Sequence, residues 1–213
     1  MPPFFMNPKL LLLALLLTTS VLRAQDPQPL SADELGKATA LLMEASTRLG
    51  ALPLKFELAP DQAVGLKAGE VGLLLIPDKR LKAENEAKAE FKYAKGETLP
   101  VGQLWTKNLS PKDKDATLPN AKLRLTKITA GDKELELAVF ALGLEQSAKG
   151  EFQLVIYGKG EQPILRVPLT LEKNAGAAPV GLSARKTGDE SGVLELKLLG
   201  RFKAEIPMGK QAD

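Results

Sequence analysis

The chain has 213 residues with no cysteine and no histidine, which removes disulfides, thiolate chemistry and the commonest general base and transition-metal ligand from its repertoire. Its 29 basic and 26 acidic residues give a formal charge of +3, but Lys9 and Arg23 belong to a leader-like start, and the remainder is nearly neutral with Lys and Glu interspersed. That distribution is not the basic stripe of a nucleic-acid binder, and with aromatics at 5% few rings are left to stack on bases.

The first interpretable stretch is residues 10–17, an unbroken Leu/Ala run preceded by Lys9 and followed by Thr18, Thr19 and Ser20. A basic start, a short apolar core and a polar end is the layout of a secretory signal peptide, with cleavage expected after Ala24. Leu22 departs from the small residue that such a site prefers at that position. The apolar run is shorter than the roughly 20 residues a membrane-spanning helix needs, so no stable transmembrane anchor is expected. Residues 25–29 (Gln-Asp-Pro-Gln-Pro) read as an exposed linker.

Ser31 and Glu34 are spaced as a capping box, and Leu35, Ala38, Leu42, Ala45 and Leu49 then recur at helical intervals up to Gly50. One amphipathic helix over 32–49 follows, with its stripe packed on its own domain in preference to a partner.

After Gly50 the period becomes two. Leu52, Leu54, Phe56 and Leu58 alternate with Pro53, Lys55 and Glu57, predicting a half-buried strand over 52–58. Residues 70–76 read as a central strand and 87–93 as a strand ending at Tyr93, while 101–105 is a short apolar piece and 110–120 a polar loop. Strands follow over 122–128, 134–142 and 151–157. Gly158-Lys159-Gly160 then turns the chain into 164–171. A breaker segment at 174–179 precedes strands over 180–184, 193–199 and 202–206. The spacing of Gly150, Phe152, Leu154, Ile156 and Gly158 echoes that of Gly192, Leu194, Leu196, Leu198 and Gly200, and Val167-Pro168-Leu169 is answered by Ile206-Pro207-Met208. The echo raises the question of two meanders built on one pattern.

Motifs that carry chemistry are scarce. Residues 183–188 contain both S-x-x-K and K-T-G, but Lys186 would have to serve in both, whereas in serine penicillin-recognising enzymes the two lie on different elements. Asp113 and Asp115 open like a calcium loop, yet lysines flank them and neither the Gly nor the bidentate Glu follows. Gly158-x-Gly160 lacks the third Gly of a dinucleotide site and reads as a turn. Asn108-Leu109-Ser110 is followed by Pro111 and is a poor glycan acceptor. No catalytic, cofactor-binding or metal-binding residue stands out, and the candidate ligand or partner contacts are the aromatic side chains of Trp105, Tyr93 and Tyr157. For Trp105 a core position is the favoured alternative.

These patterns predict an all-β fold: an antiparallel β-sandwich, Ig-like or jelly-roll-like, preceded by one amphipathic N-terminal helix, with an open barrel as the alternative. The expected organisation is a signal peptide at 1–24, linker and helix at 25–50, a sandwich at 51–172, and a linker with a C-terminal meander at 173–213 completing or extending it. The expected function is that of an exported, non-enzymatic protein, periplasmic or secreted, binding an envelope protein or a polysaccharide or playing a structural role. No cofactor and no nucleic acid are implied. The competing reading is a secreted hydrolase using paired carboxylates or a Ser-Lys pair, the main metal-free routes left without His or Cys.

Overall fold

A computed structural model of the chain describes residues 26–81, 97–172 and 178–211. The expected leader and the expected strand at 87–93, with Tyr93, lie outside these. Helix α1 (Ala32–Thr47) begins as its sequence predicts: the Ser31 hydroxyl accepts from the Glu34 amide at 3.4 Å, and the Glu34 carboxylate accepts from the Ser31 amide at 2.9 Å. Asp33 and Glu34 in the first turn also complement the helix dipole. The helix stops at Thr47, two residues before the expected end, where the Thr47 hydroxyl bonds back to the Glu44 carbonyl at 2.7 Å.

Fourteen strands form among the described residues: β1 (Gln28–Pro29), β2 (Val64–Ala68), β3 (Val71–Pro77), β4 (Leu99–Lys107), β5 (Leu109–Asp113), β6 (Ala116–Thr117), β7 (Arg124–Ala130), β8 (Lys133–Gln146), β9 (Phe152–Tyr157), β10 (Pro163–Pro168), β11 (Thr170–Leu171), β12 (Val180–Gly188), β13 (Ser191–Leu198) and β14 (Phe202–Lys210). Every pairing is antiparallel. The larger sheet runs β1-β2-β3-β4-β8-β9-β10. Along the side of β8 away from β4, β7 pairs with its first half and β9 with its second. The smaller sheet runs β12-β13-β14-β5-β6, and β11 shares the outer side of β14 with β5.

The two sheets face one another as an all-β sandwich. Phe140, Leu142, Leu144, Leu154 and Ile156 of the larger sheet meet Leu194, Leu196, Leu198, Ala204 and Ile206 of the smaller one, all of them buried. Each of these Leu, Ile and Phe side chains contributes about 1.5–3 kcal/mol by leaving water. Three described segments pass from sheet to sheet, among them the return from β6 to β7 through residues 118–123. Another is β4–β5, kinked at Asn108 with φ 58°, where the Thr106 hydroxyl donates to the Leu109 carbonyl at 2.6 Å. The third is β10–β11, broken at Leu169, whose amide donates to the Phe152 carbonyl at 3.1 Å.

The opposite face of the larger sheet is also covered. Leu42 and Ala45 of α1 pack on Leu74, Ile76, Trp105, Ile128 and Val139. Glu34 forms an ion pair with Lys67 on β2, tying the start of the helix to the sheet. Beyond α1 the cover continues with Leu54 and Phe56, which pack on Ala141, Val155 and Tyr157.

Several expectations need correction. Residues 52–58 are extended but are not a strand of either sheet. They lie across the face of the larger sheet and touch its ladder only through an isolated bridge, Leu58 to Asp78. Their alternation reflects one side laid on that face. The polar stretch 110–120 is not a loop: β5 pairs with β14 and folds back into β6, with Ser110 fully buried. The short apolar piece at 101–105 is the middle of nine-residue β4, and its Gly102 is obligatory, because at φ 151° any Cβ would run into the Ile76 carbonyl. The predicted strand at 164–171 is divided at Leu169 between the two sheets. β2 went unpredicted.

Candidate functional site

The three aromatic candidates are not brought together. Trp105 is 1% exposed and lies beneath α1, its indole N–H without a hydrogen-bond partner among the described residues. A ligand could reach its ring only by displacing the helix. Tyr157 is buried under Leu54 and Phe56. Tyr93 lies outside the described residues.

The sequence motifs resolve into strands and turns. Ser183 and Lys186 both lie on β12, where a separation of three puts their side chains on opposite faces. The Ser183 hydroxyl donates to Glu195 at 3.3 Å. Asp113 ends β5 and Asp115 sits in the exposed turn to β6, with Lys114 between them at φ 55°. Among the described residues no group of three or more acidic side chains is placed to hold a metal ion. Gly158 belongs to the β9–β10 connection, and glycine is required there because the Lys122 carbonyl presses against the position of a Cβ. The Lys159 amide donates to the same carbonyl at 2.9 Å.

Asp78, which no sequence motif singles out, is fully buried. Its Oδ1 accepts from the Arg80 amide at 2.9 Å and Nε at 2.7 Å, and its Oδ2 from the Glu57 amide at 2.8 Å and Arg80 Nη2 at 2.7 Å. Nη2 also donates to the Lys55 carbonyl at 2.8 Å. Burial pushes the Asp78 pKa up, but the Arg80 guanidinium and the two amides outweigh it and hold the carboxyl below its ordinary value. This cluster locks residues 55–57 onto the end of β3 and leaves the carboxylate no free oxygen for chemistry.

Among the described residues, the other carboxyls whose pKa is displaced move the same way. Hydrogen bonds from Lys67 and Ser31 hold Glu34 at about 2, against an ordinary 4.5. The Lys203 ammonium lowers Glu205.

Two open recesses stand out among the described residues. One, of ≈ 300 Å³, lies at the β10–β11 break beside Lys203 and Glu205. The other, of ≈ 470 Å³, is bounded by residues 51–53, Arg124, Lys159, Gly160 and Glu161. Arg124 opens β7 on the helix-covered face, opposite Val139 in the ladder. Its Nη2 donates to the carbonyls of Ala51 at 3.2 Å and Lys159 at 3.1 Å, while its Nε is buried without a partner. The sequence signal was present: Leu123 and Leu125 alternate with Arg124, which marks a strand position facing away from the sandwich interior.

Comparison with protein-family models, with curated proteins and with solved structures finds no match to this chain.

Proposed function

We propose that this chain is an exported, non-enzymatic β-sandwich protein with a binding or structural role in the bacterial envelope or outside the cell. The observation that carries the reading is the direction of the carboxyl displacements: Glu34, Asp78 and Glu205 are all lowered into ion pairs. Glycoside hydrolysis by paired carboxylates needs one acid displaced upward, so that it is protonated at working pH. Asp78, the described acid most fully withdrawn from water, serves to hold two chain segments together. Binding is favoured by the edges. Among the described residues, nine-residue β12 is paired on one side only, along β13, and exposes Ser183, Arg185 and Lys186. Its charges and the bulge near Gly188 protect it from indiscriminate pairing.

The test has two parts. The chain expressed in a bacterial host is recovered by fractionation and weighed intact; a mass beginning at Gln25 in the periplasmic or secreted fraction is expected, and a full-length chain confined to the cytoplasm would overturn export. A photo-crosslinker is then placed at Lys186 on β12 and, separately, at Lys133 on the β7–β8 hairpin. A discrete adduct with one envelope component from Lys186 alone is expected. No adduct, or equal labelling from both sites, would overturn the binding role, and turnover of a glycoside, ester or peptide by the purified chain would overturn the non-enzymatic one.

A further inference from the structure

We propose that the recess at Arg124 binds an oxyanion, a single carboxylate or phosphate group carried by a solute or glycan outside the cytoplasm. The inference rests on the binding reading above and adds a site and a ligand chemistry to it.

The first argument is charge. Arg124 and Lys159 border the recess and Lys122 adjoins it through the carbonyl that receives the Lys159 amide. None of the three has an ion-pair partner among the described residues, and Glu161 is the sole acid on the recess wall. Cations elsewhere in the same covered layer are matched: Lys67 with Glu34 and Arg80 with Asp78.

The second argument is geometry. Arg80 shows what this protein does with a guanidinium in this layer: two nitrogens grip one carboxylate while Nη2 also holds the Lys55 carbonyl. Arg124 repeats the second half of that arrangement, with Nη2 on the carbonyls of Ala51 and Lys159, and lacks the carboxylate. Its Nε is sealed, so Nη1 is the guanidinium nitrogen left open, and a side chain placed at Gly50 would start 3.8 Å from it. The planar head is therefore held in a fixed orientation before any ligand arrives, the condition under which charge-assisted bonds to an oxyanion lose little to ordering. The recess holds more than one such group, and Leu52 and Pro53 give it an apolar side against which the body of a ligand can lie.

The purified chain is titrated with inorganic phosphate, acetate and monomeric galacturonate, followed by amide NMR, with sodium chloride at matched ionic strength as the control. Saturable shifts confined to Leu52, Lys159 and Gly160 and their neighbours are expected, weakening as salt is added. Response to phosphate alone assigns a phosphate-bearing ligand, and response to galacturonate alone or with acetate a carboxylate-bearing one. Response to all three assigns the shared chemistry. Lys159→Gln, which keeps the carbonyl that receives Arg124, weakens binding about fivefold, and Arg124→Lys, which keeps the charge but loses the head held by the Ala51 and Lys159 carbonyls, about tenfold or more. Shifts equal to those of chloride, no shifts, or binding untouched in Lys159→Gln despite a native spectrum would overturn the site. A recess that fails while the Lys186 adduct still forms sinks this inference alone. Turnover of a ligand held there would sink the non-enzymatic reading and leave the site standing.

Discussion

The two sheets differ in how many of their faces are covered, and the difference is written into their sequences. β8 lies between the smaller sheet on one side and α1 with residues 51–56 on the other, and its residues 137–144 are buried without interruption. They read Leu-Ala-Val-Phe-Ala-Leu-Gly-Leu, with no alternation left. β13 and β14 are covered on one face only, and Leu194, Leu196 and Leu198 alternate with Glu195 and Lys197. The outer face of the smaller sheet is instead a charge lattice in which Arg185 reaches Glu195 and Glu205 at 3.6 and 3.7 Å and Lys203 reaches Glu205 at 3.0 Å. A period of two reports one covered face; its loss over eight residues reports two.

Substitutions along β8 and β13 test that contrast directly. Phe140→Ala removes a fully buried ring between the sheets and should cost about 3–5 kcal/mol in urea unfolding. Val139→Ala, one residue earlier and facing the helix, should also destabilise; a neutral result would mean that α1 does not seal that face.

Asp78→Asn should cost about 3 kcal/mol, because it leaves Arg80 without its carboxylate at a buried site. The folded pKa of Asp78 is lowered, so the contribution is complete above the unfolded carboxylate's range and is lost as pH falls through the folded value. The gap between wild type and Asp78→Asn should accordingly narrow on acidification, and a gap that widens would contradict the assignment.

Glu34→Gln loses the ion pair to Lys67 and half of the capping box, and should cost about 1 kcal/mol at neutral pH. Its stabilisation is present above pH 4.5 and disappears between there and about 2. Helical circular dichroism followed through acid titration should show the wild type converging on the variant across that window.

The smallest effect belongs to the uncovered face. Glu195→Gln removes exposed contacts to Ser183 and Arg185 and should shift stability by no more than about 0.5 kcal/mol in thermal unfolding. A large loss there would mean that the outer face of the smaller sheet is not simply solvated.

Much of the fold was legible because local signals and tertiary burial agree. The Ser31–Glu34 box and the apolar runs of β3, β8 and β9 each point to the element that forms. What failed depends on partners distant in the chain. Residues 52–58 alternate like a strand, yet their backbone bonds go to Asp78 and Lys79 in place of a ladder. β5 is polar by composition and becomes a strand because β14 has an open side at Met208, Gly209 and Lys210.

The internal echo shows the same limit: Val167 pairs with Leu154, but its counterpart Ile206 pairs with Leu194, the counterpart of Phe152. The two hairpins are thus out of step by two residues. Similar spacing of apolar residues does not make them copies. For the candidate site, no short motif marks Arg124; its partners, the carbonyls of Ala51 and Lys159, are 73 and 35 positions away.

The burial of Trp105 has a practical consequence. It is the chain's one tryptophan, and it sits against the underside of α1. Its fluorescence therefore watches a single seam. With the helix docked, emission should be blue-shifted and insensitive to acrylamide. A condition that lifts α1 while the strands persist should redden it and open it to quenching before far-ultraviolet dichroism records any loss of sheet.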